Sequence, residues 1–274
     1  MDPVRVAQAD EHPGLTDATY LARRAEIAAA SSAAGAEPTP AITYTATEDE
    51  VWSTVSTALD QLHQDFAAAE YLRGAAALSL PRDRVPQLRW VSDRLQSLTG
   101  WRVRAVPGLV PTRTFYGALA ERTFLSTQYV RHPSVPFYTP EPDIIHELIG
   151  HVNALASPRM ARVYEAAGQA SLRAADDVAL ERFSRVFWFT LEFGLIREHG
   201  SIRTYGAGLL SSFGEIQSFR SATIHPLDIE AMATFDYDIN RFQDVLFCAD
   251  SFDAAEDAMF GFFNATTTTG SPGR

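Results

Sequence analysis

Apolar side chains recur at helical spacing along residues 47–100, which predicts a pair or trio of helices in this part of the chain. Thr47 precedes the first apolar face, and Glu50 lies three residues after Thr47, which is the arrangement of a capping box. We therefore expect the first helix to begin after Thr47. Its apolar face consists of Val51, Trp52, Val55, Leu59 and Leu62.

A second helix is predicted between Pro86 and Gly100. Proline fits the first turn of a helix and glycine commonly ends one, so Pro86 is expected to open this helix and Gly100 to close it. Its apolar positions are Leu88, Val91, Leu95 and Leu98. The alternating residues of 101–110 then predict a short strand or an extended arm.

The remaining sequence predicts a mainly α fold with a few short strands. Helices are expected at residues 17–30, 115–119, 142–150, 158–174, 180–197 and 254–263, with a glycine-rich loop at 205–208. We expect three parts: an N-terminal arm with a short helix (1–40), a single catalytic domain (41–264) and a flexible tail (265–274).

Composition excludes several classes of protein. With 46% hydrophobic residues in 274, the chain can bury a large core. A formal net charge of −11 argues against nucleic-acid and anionic-membrane partners, which would repel it. The lone Cys248 rules out an internal disulfide, and no secretory signal or membrane-spanning stretch is visible. We expect a cytoplasmic protein.

Two histidines in residues 139–151 (TPEPDIIHELIGH) are candidate metal ligands. His146 and His151 are five residues apart, whereas the zinc-protease helix needs two histidines four apart, so a zinc hydrolase is a minor alternative. On an ideal helix these imidazoles point roughly 140° apart. They can share one metal only if the helix loosens, which Gly150 would permit.

Glu192 is the third candidate ligand. It lies in an apolar segment, residues 186–196, where an unpaired carboxylate would be costly to bury. The residues alone leave two explanations open: an ion pair with Arg131 or Arg203, or metal binding. Two histidines and one carboxylate form the facial triad of iron(II) oxygenases.

Three long motifs resemble the catalytic domain of the pterin-dependent aromatic amino-acid hydroxylases. They are residues 139–151, 188–195 (WFTLEFGL) and 205–215 (YGAGLLSSFGE), with fainter matches at 12–14, 127–132 and 249–252. The resemblance implies an iron(II) enzyme that uses dioxygen and a tetrahydropterin, tetrahydrobiopterin or a bacterial analogue, to hydroxylate a free aromatic amino acid. It also implies a compact bacterial type that acts as a monomer.

The resemblance also implies the site residues. The metal ligands would be His146, His151 and Glu192. The pterin site would comprise Gly108, Val110, Thr112, Phe115, Glu147 and Phe187. The substrate site would comprise Arg131, Thr139, Pro142, Asp143, Trp188, Phe193, Gly208 and Ser211. Arg131 would hold the substrate carboxylate, although an ion pair is the commoner fate of an arginine.

The expected reaction is conversion of L-phenylalanine to L-tyrosine. Trp188 leaves too little room for an indole, while Phe193 and Gly208 resemble the residues of para-hydroxylating enzymes. Ile239 aligns with an apolar position of phenylalanine hydroxylases. Alternatives are L-tyrosine or L-tryptophan as substrate, hydroxylation at the meta position, and a non-catalytic binding protein. Phe187 stands where the family usually carries tyrosine. We expect this difference to modify the coupling of the reaction and not to abolish activity.

Overall fold

A computed structural model describes residues 12–33, 39–239 and 241–265 of the chain. The described part is mainly helical with two small sheets, as predicted. Of the expected tail at 265–274, Ala265 is the last residue of a helix and residues 266–274 lie outside the described residues, as do positions 1–11 and 34–38 of the expected arm. No helix of the described part is long and apolar enough to cross a membrane.

The elements follow one another in a nearly continuous series. The α-helices are α1 (Pro13–Thr16), α2 (Ala18–Ala33), α3 (Ala46–Phe66), α4 (Ala69–Leu78), α5 (Leu88–Thr99), α6 (Thr112–Ala120), α7 (Asn153–Leu155), α8 (Pro158–Arg173), α9 (Asp177–Phe187), α10 (Ala207–Ser211), α11 (Phe213–Ser218), α12 (Ile229–Met232) and α13 (Phe252–Ala265). The strands are β1 (Arg102–Ala105), β2 (Thr123–Ser126), β3 (Leu195–Glu198), β4 (Ser201–Thr204), β5 (Thr223–Pro226) and β6 (Val245–Ala249). A 3₁₀ turn covers Phe219–Ser221, and π-helices cover His146–Val152 and Trp188–Glu192.

Helix α3 begins two residues earlier than predicted. Its cap is Thr45, whose side chain accepts from the Glu48 N–H while the Glu48 carboxylate accepts from Thr45 N. The sequence fits a capping box at either position, and the tertiary fold favours the earlier one because Glu48 also pairs with Arg23. The predicted apolar face is buried except for the half-buried Leu62, and Trp52, Val55 and Leu59 are fully covered.

Helix α5 and strand β1 confirm the predicted second helix and strand, although α5 begins at Leu88 after a cap at Gln87, so Pro86 precedes the helix. Gly100 ends α5 with φ 79°, in the left-handed region. Leu88, Val91 and Leu95 are buried, but Leu98 is 39% exposed and does not belong to the core. Strand β1 pairs in parallel with β2.

The predicted helix over 180–197 is wrong in its last part. The helix ends at Glu192, and Leu195–Glu198 forms β3, which pairs antiparallel with β4 and parallel with β6. The four-stranded sheet has the order β4-β3-β6-β5. The predicted loop at 205–208 is also wrong at its end, because Ala207 starts α10.

Candidate active site

The first π-helix places His146 and His151 on one side of the chain. In a π-helix each backbone hydrogen bond spans five residues instead of four, as shown here by Asn153 N, which donates to Leu148 O. Side chains five residues apart therefore lie above one another. The two Nε2 atoms are 3.2 Å apart. The predicted helix over 142–150 is present, but it begins two residues later, and the part that carries the histidines is a π-helix.

Gly150 has a different purpose from the one predicted. The π-helix extends through it, so it does not mark a loosened end. A Cβ at this position would lie 2.8 Å from Ala207 O and 3.1 Å from the Ala207 side chain. Glycine is required because α10 passes directly against the histidine helix.

The second π-helix brings Glu192 to the two histidines. It closes with an i→i+5 bond from Phe193 N to Trp188 O, 2.9 Å long. Glu192 Oε1 lies 3.0 Å from His151 Nε2, and Oε2 lies 4.0 Å from His146 Nε2. One ligand atom from each of the three residues lies within 4.8 Å of the others.

Neither arginine proposed as an ion-pair partner reaches Glu192. Arg131 pairs with Asp143, and Arg203 donates to Gln64 O. Burial alone would raise the pKa of Glu192, but His151 and His146 together hold it below the ordinary value. Glu192 is therefore an ionised carboxylate that faces two imidazoles.

Both imidazoles direct Nε2 to the point where the three residues meet. His146 Nδ1 lies 2.8 Å from Ser211 Oγ, whose hydroxyl donates to Ala207 O and is thus an acceptor for Nδ1–H. His151 Nδ1 lies 2.8 Å from the Tyr164 hydroxyl. Burial and the neighbouring His151 lower the pKa of His146 to about 4. The histidine is neutral, as metal binding requires.

Tyr164→Phe is expected to weaken metal binding without disturbing the fold. Tyr164 is fully buried, and the substitution keeps its ring packing while removing the oxygen that orients His151. Loss of such an outer partner typically costs about 10- to 100-fold in metal affinity. An anaerobic iron(II) titration measures the change; Tyr71→Phe, which removes a buried hydroxyl bound to Ile149 O, is the matched control. Equal affinities in the wild type and Tyr164→Phe would contradict this role.

A cavity of ≈ 340 Å³ opens beside the three residues. Most of the side chains predicted for the substrate line it together with two of the metal candidates: Arg131, Thr139, Pro142, Trp188, Phe193, Gly208 and Ser211 with His146 and Glu192. Asp143 does not line it but fixes Arg131. The Asp143 carboxylate accepts from Arg131 Nε at 3.0 Å and from Nη2 at 2.8 Å, and both side chains are buried.

The aromatic wall of the cavity is built around Trp188. Its ring lies against Phe193, with centroids 4.6 Å apart, and stacks on Tyr237 at 4.3 Å. Its Nε1–H donates to Gln243 Oε1 at 3.1 Å. The ring is thus fixed by two aromatic neighbours and one hydrogen bond.

The residues predicted for the pterin lie apart from this lining. Gly108 and Val110 lie in the segment before α6, and Thr112 is the first residue of α6. None of the three is buried. Phe115 is half-buried, and its ring centroid lies 6.3 Å from that of Phe187. Glu147 is buried, and burial, followed by the charges of Glu192 and Asp143, raises its pKa well above the ordinary value.

Sequence reasoning missed three residues of the site. Tyr164 and Gln243 act through hydrogen bonds to His151 and Trp188, and Tyr237 acts through ring stacking. They come from α8 and from the loop between α12 and β6. Nothing in their local sequence marks them, because only the tertiary fold brings them to the site.

The comparison with protein families decides the relationship. Residues 5–269 match the family model of the biopterin-dependent aromatic amino acid hydroxylases. The chain belongs to this family. It is 50% identical to the phenylalanine 3-hydroxylase of Streptomyces coeruleorubidus over 254 residues, which cover 92% of this chain and 91% of that protein. It is 42% identical to the phenylalanine-4-hydroxylase of Bos taurus over 259 residues, 92% of this chain but 57% of the bovine protein.

A solved structure shares the fold of this family member. The phenylalanine hydroxylase of Chromobacterium violaceum, with bound iron(III) and oxidised 7,8-dihydrobiopterin, is 35% identical with a TM-score of 0.78. The match covers 83% of this chain and 84% of that one. The fold and family predicted from the sequence are confirmed.

Proposed function

We propose that the protein is an iron(II)- and tetrahydropterin-dependent monooxygenase that hydroxylates the ring of free L-phenylalanine. The observation that carries the proposal is the meeting of His146, His151 and Glu192, with ligand atoms within 4.8 Å, at an aromatic-lined cavity. Two imidazoles and one carboxylate suit iron(II) and leave coordination positions free. The relatives named as phenylalanine hydroxylases support the substrate.

The chain's own residues would bind and orient the reactants. When bound, iron(II) and the tetrahydropterin supply the electrons that activate dioxygen. Arg131, held rigid by Asp143, would bind the substrate carboxylate through its remaining N–H groups, helped by Thr139 and Ser211. The substrate ring would lie against Trp188 and Phe193, and this wall excludes water from the reacting carbon.

The pterin site remains the one that the family resemblance implies. We propose that the pterin ring stacks on Phe115 and meets backbone between Gly108 and Thr112, with Glu147 and Phe187 nearby. Phe187 packs edge-on against Phe115 and lies 6.1 Å from the Tyr164 ring, centroid to centroid. A change at position 187 can therefore affect both the pterin wall and the partner of His151.

L-Tyrosine is the proposed product, because Phe193 and Gly208 resemble the residues of para-hydroxylating enzymes. A second candidate is meta-tyrosine, favoured by the 50% identity to a phenylalanine 3-hydroxylase. The two products differ by a small displacement of the substrate ring. We also propose that the protein is a cytoplasmic monomer, as expected from its resemblance to compact bacterial members.

The function is tested by anaerobic loading with iron(II), then addition of tetrahydropterin, dioxygen and L-Phe, L-Tyr or L-Trp. Products are separated against ortho-, meta- and para-tyrosine standards. We expect para-tyrosine from L-Phe and little turnover of L-Trp. Meta-tyrosine would select the second candidate, and stoichiometric iron without any hydroxylated product would overturn the proposal.

Gly208→Ala is expected to change the product ratio. A Cβ at position 208 would lie 2.6 Å from Phe193 Cζ and 3.1 Å from Glu192 O, so the Phe193 ring must move. Because Phe193 forms the wall against the substrate ring, the ring shifts with it. We expect the meta-to-para ratio to change. We also expect kcat/KM to fall by about tenfold, because an extra methyl group in a packed site typically costs about 1–3 kcal/mol. An unaltered ratio with unaltered kcat/KM would contradict the proposed contact.

A further inference from the structure

Glu215 is a buried carboxylate at the substrate cavity that has no role in the function proposed above. It is the last residue of the 205–215 motif, lies on α11 and is 7% exposed. It lines the same cavity as Arg131, Ser211 and Trp188. A carboxylate in such a place needs a partner, because an unpaired buried charge is costly.

The other carboxylates at this cavity already have cationic or histidine partners. Glu141 pairs with Arg24, and Glu192 with His151. Among the residues that the structure describes, no arginine or histidine lies within ion-pair distance of Glu215. The cavity's other arginine, Arg241, is 65% exposed at its side chain and lies near Asp238 and Asp244.

Only a backbone group satisfies Glu215 within the described structure. Its Oε1 accepts from Gln243 N at 2.7 Å, and Oε2 has no described hydrogen-bond partner. Burial raises the pKa of Glu215 to about 7, and the Gln243 N–H opposes this only partly. Among the described residues, the carboxylate thus has an unused acceptor and lacks a compensating positive charge.

We propose that Glu215 binds the α-ammonium group of the amino-acid substrate while Arg131 binds its carboxylate. This inference rests on the proposed function and names the group that distinguishes an amino acid from a simple aromatic acid. An ammonium ion supplies the positive charge and hydrogen-bond donors that Glu215 lacks. An ammonium site also adds selectivity, because Arg131 alone would bind aromatic carboxylates in general.

Glu215 also connects ammonium recognition to the aromatic wall. The residue that donates to its Oε1, Gln243, accepts from Trp188 Nε1 through its side chain. The same side chain donates to Asp238 O and Arg241 O and so fixes the loop that carries Ile239. Gln243 therefore contacts both the proposed ammonium partner, Glu215, and the aromatic wall at Trp188.

The test compares binding of L-Phe and of 3-phenylpropanoate, which lacks the amino group, by anaerobic calorimetry on the iron(II)-loaded protein. Glu215→Gln keeps a carbonyl oxygen for Gln243 N but removes the charge. We expect L-Phe binding to weaken by about 10- to 100-fold, the usual range for a lost charge-assisted hydrogen bond. Binding of 3-phenylpropanoate should stay within about twofold. In turnover, KM for L-Phe should rise far more than kcat falls.

Two further variants separate charge from structure. Glu141→Gln removes a different carboxylate of this cavity, one that already pairs with Arg24. We expect this variant to preserve the preference for L-Phe over 3-phenylpropanoate. Glu215→Asp keeps the charge and should restore part of that preference. Equal weakening of both ligands in Glu215→Gln would indicate a structural role and overturn the inference, as would unchanged L-Phe binding. Absence of L-Phe binding by the wild type would instead overturn the proposed function.

Discussion

Replacing Glu192 with glutamine is expected to abolish nearly all hydroxylation and to weaken iron binding while the fold remains intact. The amide has the same shape but no charge, and the carboxylate is the only anionic member of the three-residue set. Even the loss of an outer hydrogen-bond partner lowers metal affinity by about 10- to 100-fold. Loss of a ligand's charge should therefore lower it by more than about 100-fold. Iron stoichiometry and initial rates of product formation measure the two effects.

Glu181→Gln provides the control for this change. Glu181 lies on α9, which leads into the second π-helix, and its exposed side chain pairs with Arg185. We expect it to retain wild-type iron binding and turnover. Normal turnover by Glu192→Gln would remove this residue from the ligand set.

Asp143→Ala is expected to lower the free energy of unfolding by about 3–5 kcal/mol, because it leaves the buried Arg131 guanidinium without its anion. The Asp143 carboxylate also accepts from the backbone N–H groups of Arg131 and His146. The substitution should therefore loosen both Arg131, the proposed partner of the substrate carboxylate, and the start of the histidine helix. Urea unfolding measures the stability, and KM for L-Phe measures the binding.

Two comparisons sharpen this second prediction. Asp177→Ala breaks an exposed pair with Arg113 and should cost no more than about 1 kcal/mol. Adding Arg131→Met to Asp143→Ala removes the stranded charge and should recover part of the stability without recovering L-Phe binding. A double variant as unstable as Asp143→Ala would show that the buried charge is not the cause.

The sequence predicted the helices best where an apolar face and a terminator agree. Leu88, Val91 and Leu95 with Gly100 define α5, and the structure confirms that helix. Where two starts were equally good, as at Thr45 and Thr47, local pattern could not choose. The choice depends on the pairing of Glu48 with Arg23, which lies 25 residues away in the sequence.

The site was predictable in its residue types but not in its backbone. The five-residue spacing of His146 and His151 indicated a departure from an α-helix, but propensity carries no signal for a π-helix. Within that helix Gly150 lies directly against Ala207, a tertiary contact that the local sequence does not encode. The strand at Leu195 was missed for a related reason, since pairing with Cys248 ends a segment whose apolar pattern favours a helix.

The central claim is that His146, His151 and Glu192 bind one iron(II) ion. Crystals grown anaerobically with iron(II) and measured at the iron absorption edge test it most directly. We predict a single anomalous peak within bonding distance of both Nε2 atoms and of the Glu192 carboxylate, adjoining the cavity that Trp188 and Arg131 line. A peak elsewhere in the molecule, or one bonded to fewer than these three side chains, would contradict the account.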